Sequence, residues 1–371
     1  MARTQRRPPV PEAHPHGRPQ LFRSTPRGGG ATTDPTARGR RSARLSHTMM
    51  DTKNRPFGKM LTAMVTPMLE DGELDYEGAA RLATYLVDEQ HNDGLVISGT
   101  TGESPTTSDD EKDRLLRTVL EAVGDRATIV AGVGTNDTRH SIRLAQAAEK
   151  AGAHGLLTVT PYYNKPPQEG LIRHFTSIAD STDLPVMLYD IPHRTGTPIA
   201  SETLVRLAEH PRIVANKDAK DNVGASSWVM ERTDLAFYCG TDILNLPLLS
   251  VGAAGFVSVV GHIVGADLCD MIDAFEKGEV GQALAIHRRL TPVYTGMFRT
   301  QGVITTKAVL NLFGLPSGPV RTPLADASAE LQALLREDLA AAGVKGPIGL
   351  APHQAVPASA VAVERLTEGS V

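Results

Sequence analysis

Arg212-Ile213-Val214-Ala215-Asn216-Lys217 is a short apolar run that ends on a lysine. It belongs to a series of eight, at 60–66, 94–98, 128–133, 155–160, 185–189, 213–217, 236–240 and 255–260, each rich in Val, Ile and Leu without strict alternation. Strands buried on both faces have this composition, because a parallel sheet covered by helices has no wet side. The segments between them carry helical spacing. Ala79, Leu82, Ala83, Leu86 and Val87 form one apolar stripe, and Ser108-Asp109-Asp110-Glu111 is a capping box that opens another helix. Eight strand–helix units, about 20 to 35 residues apart, predict an α/β fold, the (β/α)8 TIM barrel. A doubly wound open sheet is the competing architecture, but no G-x-G-x-x-G opens a helix here. After residue 260 the strand signals stop and 265–343 reads as helical throughout, which predicts a small C-terminal all-helical domain. The expected division is an arm over 1–52, a catalytic barrel over 53–280, a helical domain over 281–345 and a loose tail over 346–371.

The 371 residues are 41% hydrophobic and 22% charged, an ordinary globular composition. The net charge of −4 is uneven: the first 48 residues carry about +8, from ten Arg against Glu12 and Asp34, leaving about −12 for the rest. An acidic body argues against a nucleic-acid partner. No apolar stretch approaches the ~20 residues a membrane helix requires. With only Cys239 and Cys269, no disulfide framework or structural zinc site is expected, and a reducing cytosol fits. The arm is broken by Pro8, Pro9, Pro11, Pro15, Pro19 and Pro26 and by Gly28, Gly29 and Gly30, so it is expected to be disordered or to precede the real start at Met49 or Met50.

In such a barrel the chemistry lies at the carboxyl ends of the strands. Lys217 stands at one of these ends. Burial raises the cost of its ammonium, so part of its population becomes a neutral amine able to condense with a carbonyl. The plainer reading is a lysine that snorkels out of a strand end, and the motifs at the other strand ends decide against it. Gly99-Thr100-Thr101-Gly102-Glu103 follows the second strand; its glycines permit a tight turn, and its hydroxyls and N–H groups suit a small carboxylate. Pro161-Tyr162-Tyr163-Asn164 places two tyrosines after the fourth strand in a chain with 4% aromatics. Tyr189 ends the fifth strand as a candidate proton shuttle, and Arg194, in the loop beyond it, can clamp a carboxylate unless it merely pairs with a nearby acid. His262 is expected to be a packed loop histidine without a role. If Lys217 points inward, Asn216 points outward and needs hydrogen-bonding partners there.

Taken together, Gly99-Thr100-Thr101-Gly102-Glu103, the Tyr162–Tyr163 pair, Tyr189 with Arg194, and Lys217 resemble, over about 57–342, the pyruvate-dependent N-acetylneuraminate lyase superfamily. Within it the match is best to the dihydrodipicolinate synthase branch. The resemblance implies a class I aldolase-type lyase that condenses pyruvate with L-aspartate 4-semialdehyde for diaminopimelate and lysine synthesis, without metal or organic cofactor, as a cytoplasmic homotetramer. It makes Lys217 the Schiff-base lysine and assigns the pyruvate carboxylate to Thr100 and Thr101. Thr101, Tyr189 and Tyr163 become a proton relay, with Tyr163 supplied by a neighbouring subunit. Arg194 would receive the semialdehyde carboxylate, and Gly240 and Val257 would line the pocket with backbone groups. Some members are inhibited by lysine at a subunit interface. Ser104, Asn136 and Tyr162 match that pattern, whereas Asp109 and Lys112 stand where it has histidines and His140 where it has glutamate. Two other readings remain: a sister aldolase acting on a keto sugar acid, and a non-catalytic barrel that binds a keto acid.

Overall fold

Eight parallel strands pair in sequence order, and the eighth closes on the first. The computed structural model describes residues 55–346, so the arm expected over 1–52 lies outside the described residues, as does the tail from 347. The strands are β1 Met60–Ala63, β2 Gly94–Ile97, β3 Thr128–Gly132, β4 Gly155–Val159, β5 Val186–Asp190, β6 Ile213–Asp218, β7 Ala236–Cys239 and β8 Gly255–Ser258. All eight expected runs are strands, but seven of them stop short of the expected carboxyl end or move by a residue or so. There the chain leaves the hydrogen-bonded ladder and turns outward into the loops.

Alternation along each strand separates two cores. Leu61, Val96, Val130, Leu157, Met187, Ala215, Tyr238 and Val257 fill the barrel interior. Phe57 and Tyr238 plug its amino-terminal end: the Tyr238 hydroxyl accepts from the Phe57 N–H at 3.3 Å and donates to the Gly58 carbonyl at 2.9 Å. Side chains of opposite parity pack against the surrounding helices. Of the expected stripe, Ala79, Leu82, Ala83 and Leu86 are buried on α1 (Tyr76–Asp88). Each fully buried leucine contributes roughly 1.5–3 kcal/mol. The Ser108 capping box opens α2 (Asp109–Val123): Ser108 Oγ accepts from the Glu111 N–H, and the Glu111 carboxylate accepts from the Ser108 N–H.

The outer layer continues with α3 (Thr138–Ala151), α4 (Gln168–Asp180), the single turn α5 (Pro192–Thr195), α6 (Ser201–Leu207), α7 (Val223–Met230) and α8 (Asn245–Ser250). Then come α9 (Gly261–Glu276), α10 (Val280–Gly296), α11 (Gly302–Leu312) and α12 (Ala329–Ala341). The expectation of continuous helix over 265–343 fails between 313 and 328, which contains no helix. Pro316, Pro319 and Pro323 lack the N–H a helix interior needs, and Gly314 and Gly318 adopt positive φ.

His262 is not in a loop but in the first turn of α9, fully buried. Its Nδ1–H donates to the Val259 carbonyl at 2.8 Å and its Nε2 accepts from the Val65 N–H at 3.0 Å. Burial pulls its pKa down to about 4, so it is a neutral pin between β1 and β8. Asn216 does face the helix layer and is buried, yet neither atom of its amide meets a protein partner among the described residues.

Candidate active site

Register decides which side chains meet. Lys217 pairs with Tyr189 on β5 and Tyr238 on β7, and it shares the inward parity of Ala215. Its amine is therefore delivered into the barrel mouth, only 4% exposed, with Nζ 4.3 Å from the centre of the Tyr189 ring. Burial lowers its pKa from 10.5 to about 8, against an opposing pull from the carboxylate of Asp242. Gly240 is bare for a steric reason: a Cβ there would lie 3.0 Å from Lys217 Cε and 3.1 Å from the Asp218 carbonyl oxygen.

The mouth holds a cavity of about 520 Å³ lined by Thr100, Thr101, Tyr189, Arg194, Lys217 and Gly240. A neighbouring cavity of about 330 Å³ shares Thr100, Tyr189 and Arg194 and adds Tyr162. Six expected site residues thus converge from four strand ends. Burial pushes the Tyr189 phenol up to about 12, while Arg194 and a hydrogen bond with Thr100 draw it down. Thr101, expected in the relay, is buried and lines the cavity together with Thr100.

Two expected residues stand apart from this cluster. Val257, expected to offer a backbone group, has its side chain wholly buried in the barrel interior, and Val259 two residues on lines the cavity. Tyr163 lines neither cavity. It is 90% exposed and holds φ = 74°, an unusual backbone for a non-glycine residue.

Sequence reasoning missed the groups that hold this site in place. The buried Asp242 carboxylate accepts from Ser258 Oγ at 2.5 Å, the Val259 N–H at 3.0 Å, the Val260 N–H at 3.1 Å and Asn245 Nδ2 at 3.2 Å. It thereby fixes the turn after β8 while placing negative charge near Lys217. Glu103, closing the threonine loop in a left-handed conformation, is paired at 2.7 Å with Lys307 on α11, and both side chains are buried. Its second oxygen accepts from the Arg321 N–H at 2.8 Å, so the C-terminal helical region braces the threonine loop. Asp242 carried a sequence signal, since it lies just past the end of β7. Nothing local in the sequence joins Glu103 to Lys307.

This geometry defines the class: a (β/α)8 barrel with its chemistry at the carboxyl ends of the strands, organised around a buried amine. More particularly, the chain belongs to the dihydrodipicolinate synthetase family, whose model matches residues 56–342. It is 70% identical over 288 residues to the 4-hydroxy-tetrahydrodipicolinate synthase of Acidothermus cellulolyticus, covering 78% of this chain and 93% of that one. Among solved structures, the dihydrodipicolinate synthase of Cyanidioschyzon merolae with lysine bound superposes with a TM-score of 0.77 at 42% identity, covering 78% of this chain and 99% of that one. A relative described as a monomeric dihydrodipicolinate synthase variant gives 0.76 at 35% identity, with coverage of 79% and 99%.

Proposed function

We propose that this chain condenses pyruvate with L-aspartate 4-semialdehyde to give 4-hydroxy-tetrahydrodipicolinate, the reaction that commits carbon to diaminopimelate and lysine. The observation that carries the reading is the buried Lys217 amine against Tyr189 in a cavity of pyruvate-plus-aldehyde size. The neutral amine attacks the ketone of pyruvate, and water leaves to give an iminium. Its nitrogen then draws electrons as a methyl proton departs, and the resulting enamine adds to the aldehyde. Tyr189 and Thr101 relay the protons involved in this reading, and Arg194 receives the semialdehyde carboxylate. Ring closure by the product's own amine onto the iminium carbon expels Lys217 for the next turnover. Offered pyruvate with a panel of aldehydes, the protein should consume aspartate semialdehyde far faster than the sugar aldehydes. Preference for N-acetylmannosamine or glyceraldehyde would move it to a sister aldolase.

Tyr163 completes the relay in this reading by crossing into a neighbouring copy, within a tetramer of two tight dimers in the cytoplasm. An aromatic ring 90% exposed on a left-handed backbone supports this, because neither feature serves the isolated chain. Activity is expected to track the oligomer: sedimentation and assay at one concentration should show it falling as the protein dissociates. A fully active monomer would refute the shared site.

Lysine feedback is expected to be weak or missing. The Asp109 carboxylate is engaged by His140 Nε2 at 2.9 Å, and the Lys112 ammonium donates to the Thr107 carbonyl. The Asp109 carboxylate is thus already occupied, and by the resemblance His140 replaces the glutamate that would meet the effector's α-ammonium. Loss of one charged hydrogen bond, roughly 1.5–3 kcal/mol, weakens lysine at least about tenfold. Half-inhibition below millimolar lysine would contradict this.

A further inference from the structure

The strand ends that present Tyr189 and Lys217 inward carry Asp190 and Asp218 on the opposite face, in register with each other. Asp190 is completely buried, and Lys220, in the turn after β6, brings its ammonium to 3.2 Å from the Asp190 carboxylate. Both groups also grip one distant residue. The Asp190 carboxylate accepts from the Ile199 N–H at 3.1 Å, and Lys220 Nζ donates to the Ile199 carbonyl at 3.0 Å. Residue 190 is where the chain leaves β5, and Ile199 is where it comes back to the barrel. Between them lies the loop bearing Arg194 on the single turn α5.

The rest of the loop has a partial scaffold of its own. Thr195 Oγ1 bonds to the carbonyls of Ile191 and Thr197, and Gln168 spans the backbone of Pro198 and Ala200. None of these contacts ties the loop to β6. The contacts from Lys220 do, and they link the arginine loop to the strand that bears Lys217.

We propose that Asp190 and Lys220 form the positioning pair for Arg194, an ion pair built on a buried carboxylate that closes residues 191–199 into one fixed loop and thereby sets the subsite for the second substrate's carboxylate. The inference rests on the reading of Arg194 as the receiver of that carboxylate. The loop touches the cavity through Ile191, His193 and Arg194, whereas the threonine loop on the other side is braced separately by Glu103 and Lys307. The pair should therefore govern the aldehyde and leave pyruvate alone.

Lys220→Met keeps the length of the side chain and removes its charge. It is expected to raise KM for aspartate semialdehyde by roughly ten- to a hundred-fold, the scale of misplacing a positioning group. KM for pyruvate and the yield of the borohydride-trapped adduct should stay within about twofold. In an Arg194→Ala background the same change should add almost nothing, because the group it positions is gone. Removing one partner leaves an unpaired buried charge, so if Lys220→Met does not fold, the doubly neutral Asp190→Asn/Lys220→Met protein takes its place. Its amide oxygen still accepts from the Ile199 N–H. Equal rises in both KM values would reduce the pair to a structural brace and overturn the proposal. An unchanged semialdehyde KM in a folded Lys220 variant, with Arg194→Ala impaired, would overturn it while leaving the reading of Arg194 intact. An unchanged semialdehyde KM in Arg194→Ala itself would remove both.

Discussion

Incubation with pyruvate and borohydride is expected to add one reduced-pyruvate mass per chain, on the peptide that contains Lys217, and Lys217→Ala is expected to abolish that label and turnover together. The effect is total because no other amine among the described residues shares the geometry: Nζ lies 4.3 Å from the Tyr189 ring in the cavity that also holds Thr100 and Thr101. Lys217→Arg should be equally inactive, since a guanidinium stays protonated and cannot act as the nucleophile. The pH dependence follows from burial. A folded-state pKa lowered to about 8 means that the ammonium dominates below that value and the nucleophilic amine above it. Adduct formation should therefore accelerate as pH rises and level off just above 8. An inflection close to the ordinary lysine value of 10.5 would show that the amine is not held in a dry site. Undiminished labelling of Lys217→Ala would place the chemistry elsewhere.

Arg194→Ala is expected to lower kcat/KM for aspartate semialdehyde by roughly 1.5–3 kcal/mol, the worth of a charge-assisted hydrogen bond. That corresponds to roughly 10- to 150-fold. Adduct formation with pyruvate alone should change little, because the threonine loop and Lys217 make that half of the site. Arg194 is exposed and makes no salt bridge within the described residues, so its removal leaves no buried partner stranded. The comparison is therefore clean: single-turnover trapping with pyruvate isolates the first half-reaction, and steady-state assay with semialdehyde reports the second. If both half-reactions fell equally, Arg194 would be holding the loop rather than the substrate.

The sequence by itself determined the architecture and most of the site. Eight apolar runs without alternation admit few folds other than a barrel wrapped in helices, since each run must be covered on both faces. The strand-end rule then brought Thr100, Thr101, Tyr189, Arg194 and Lys217 to one mouth, where the structure has them, and Gly240, which the family resemblance supplied, lines the same cavity. Local signals served equally well at the helix starts, as the Ser108 capping box shows. What the sequence left out was partnership.

Only the tertiary structure could reveal the pairs Glu103–Lys307, buried on both sides, and Asp190–Lys220, where the carboxylate is buried and the lysine partly so. Taken as residue types they are ordinary charges in polar segments, and their meaning arises when folding buries them and sets each against its counter-charge. The sequence determines which groups can do chemistry, because that follows from residue type and from position along a strand. The structure alone decides which groups hold them still, because closure of the barrel brings together side chains that the chain order keeps apart.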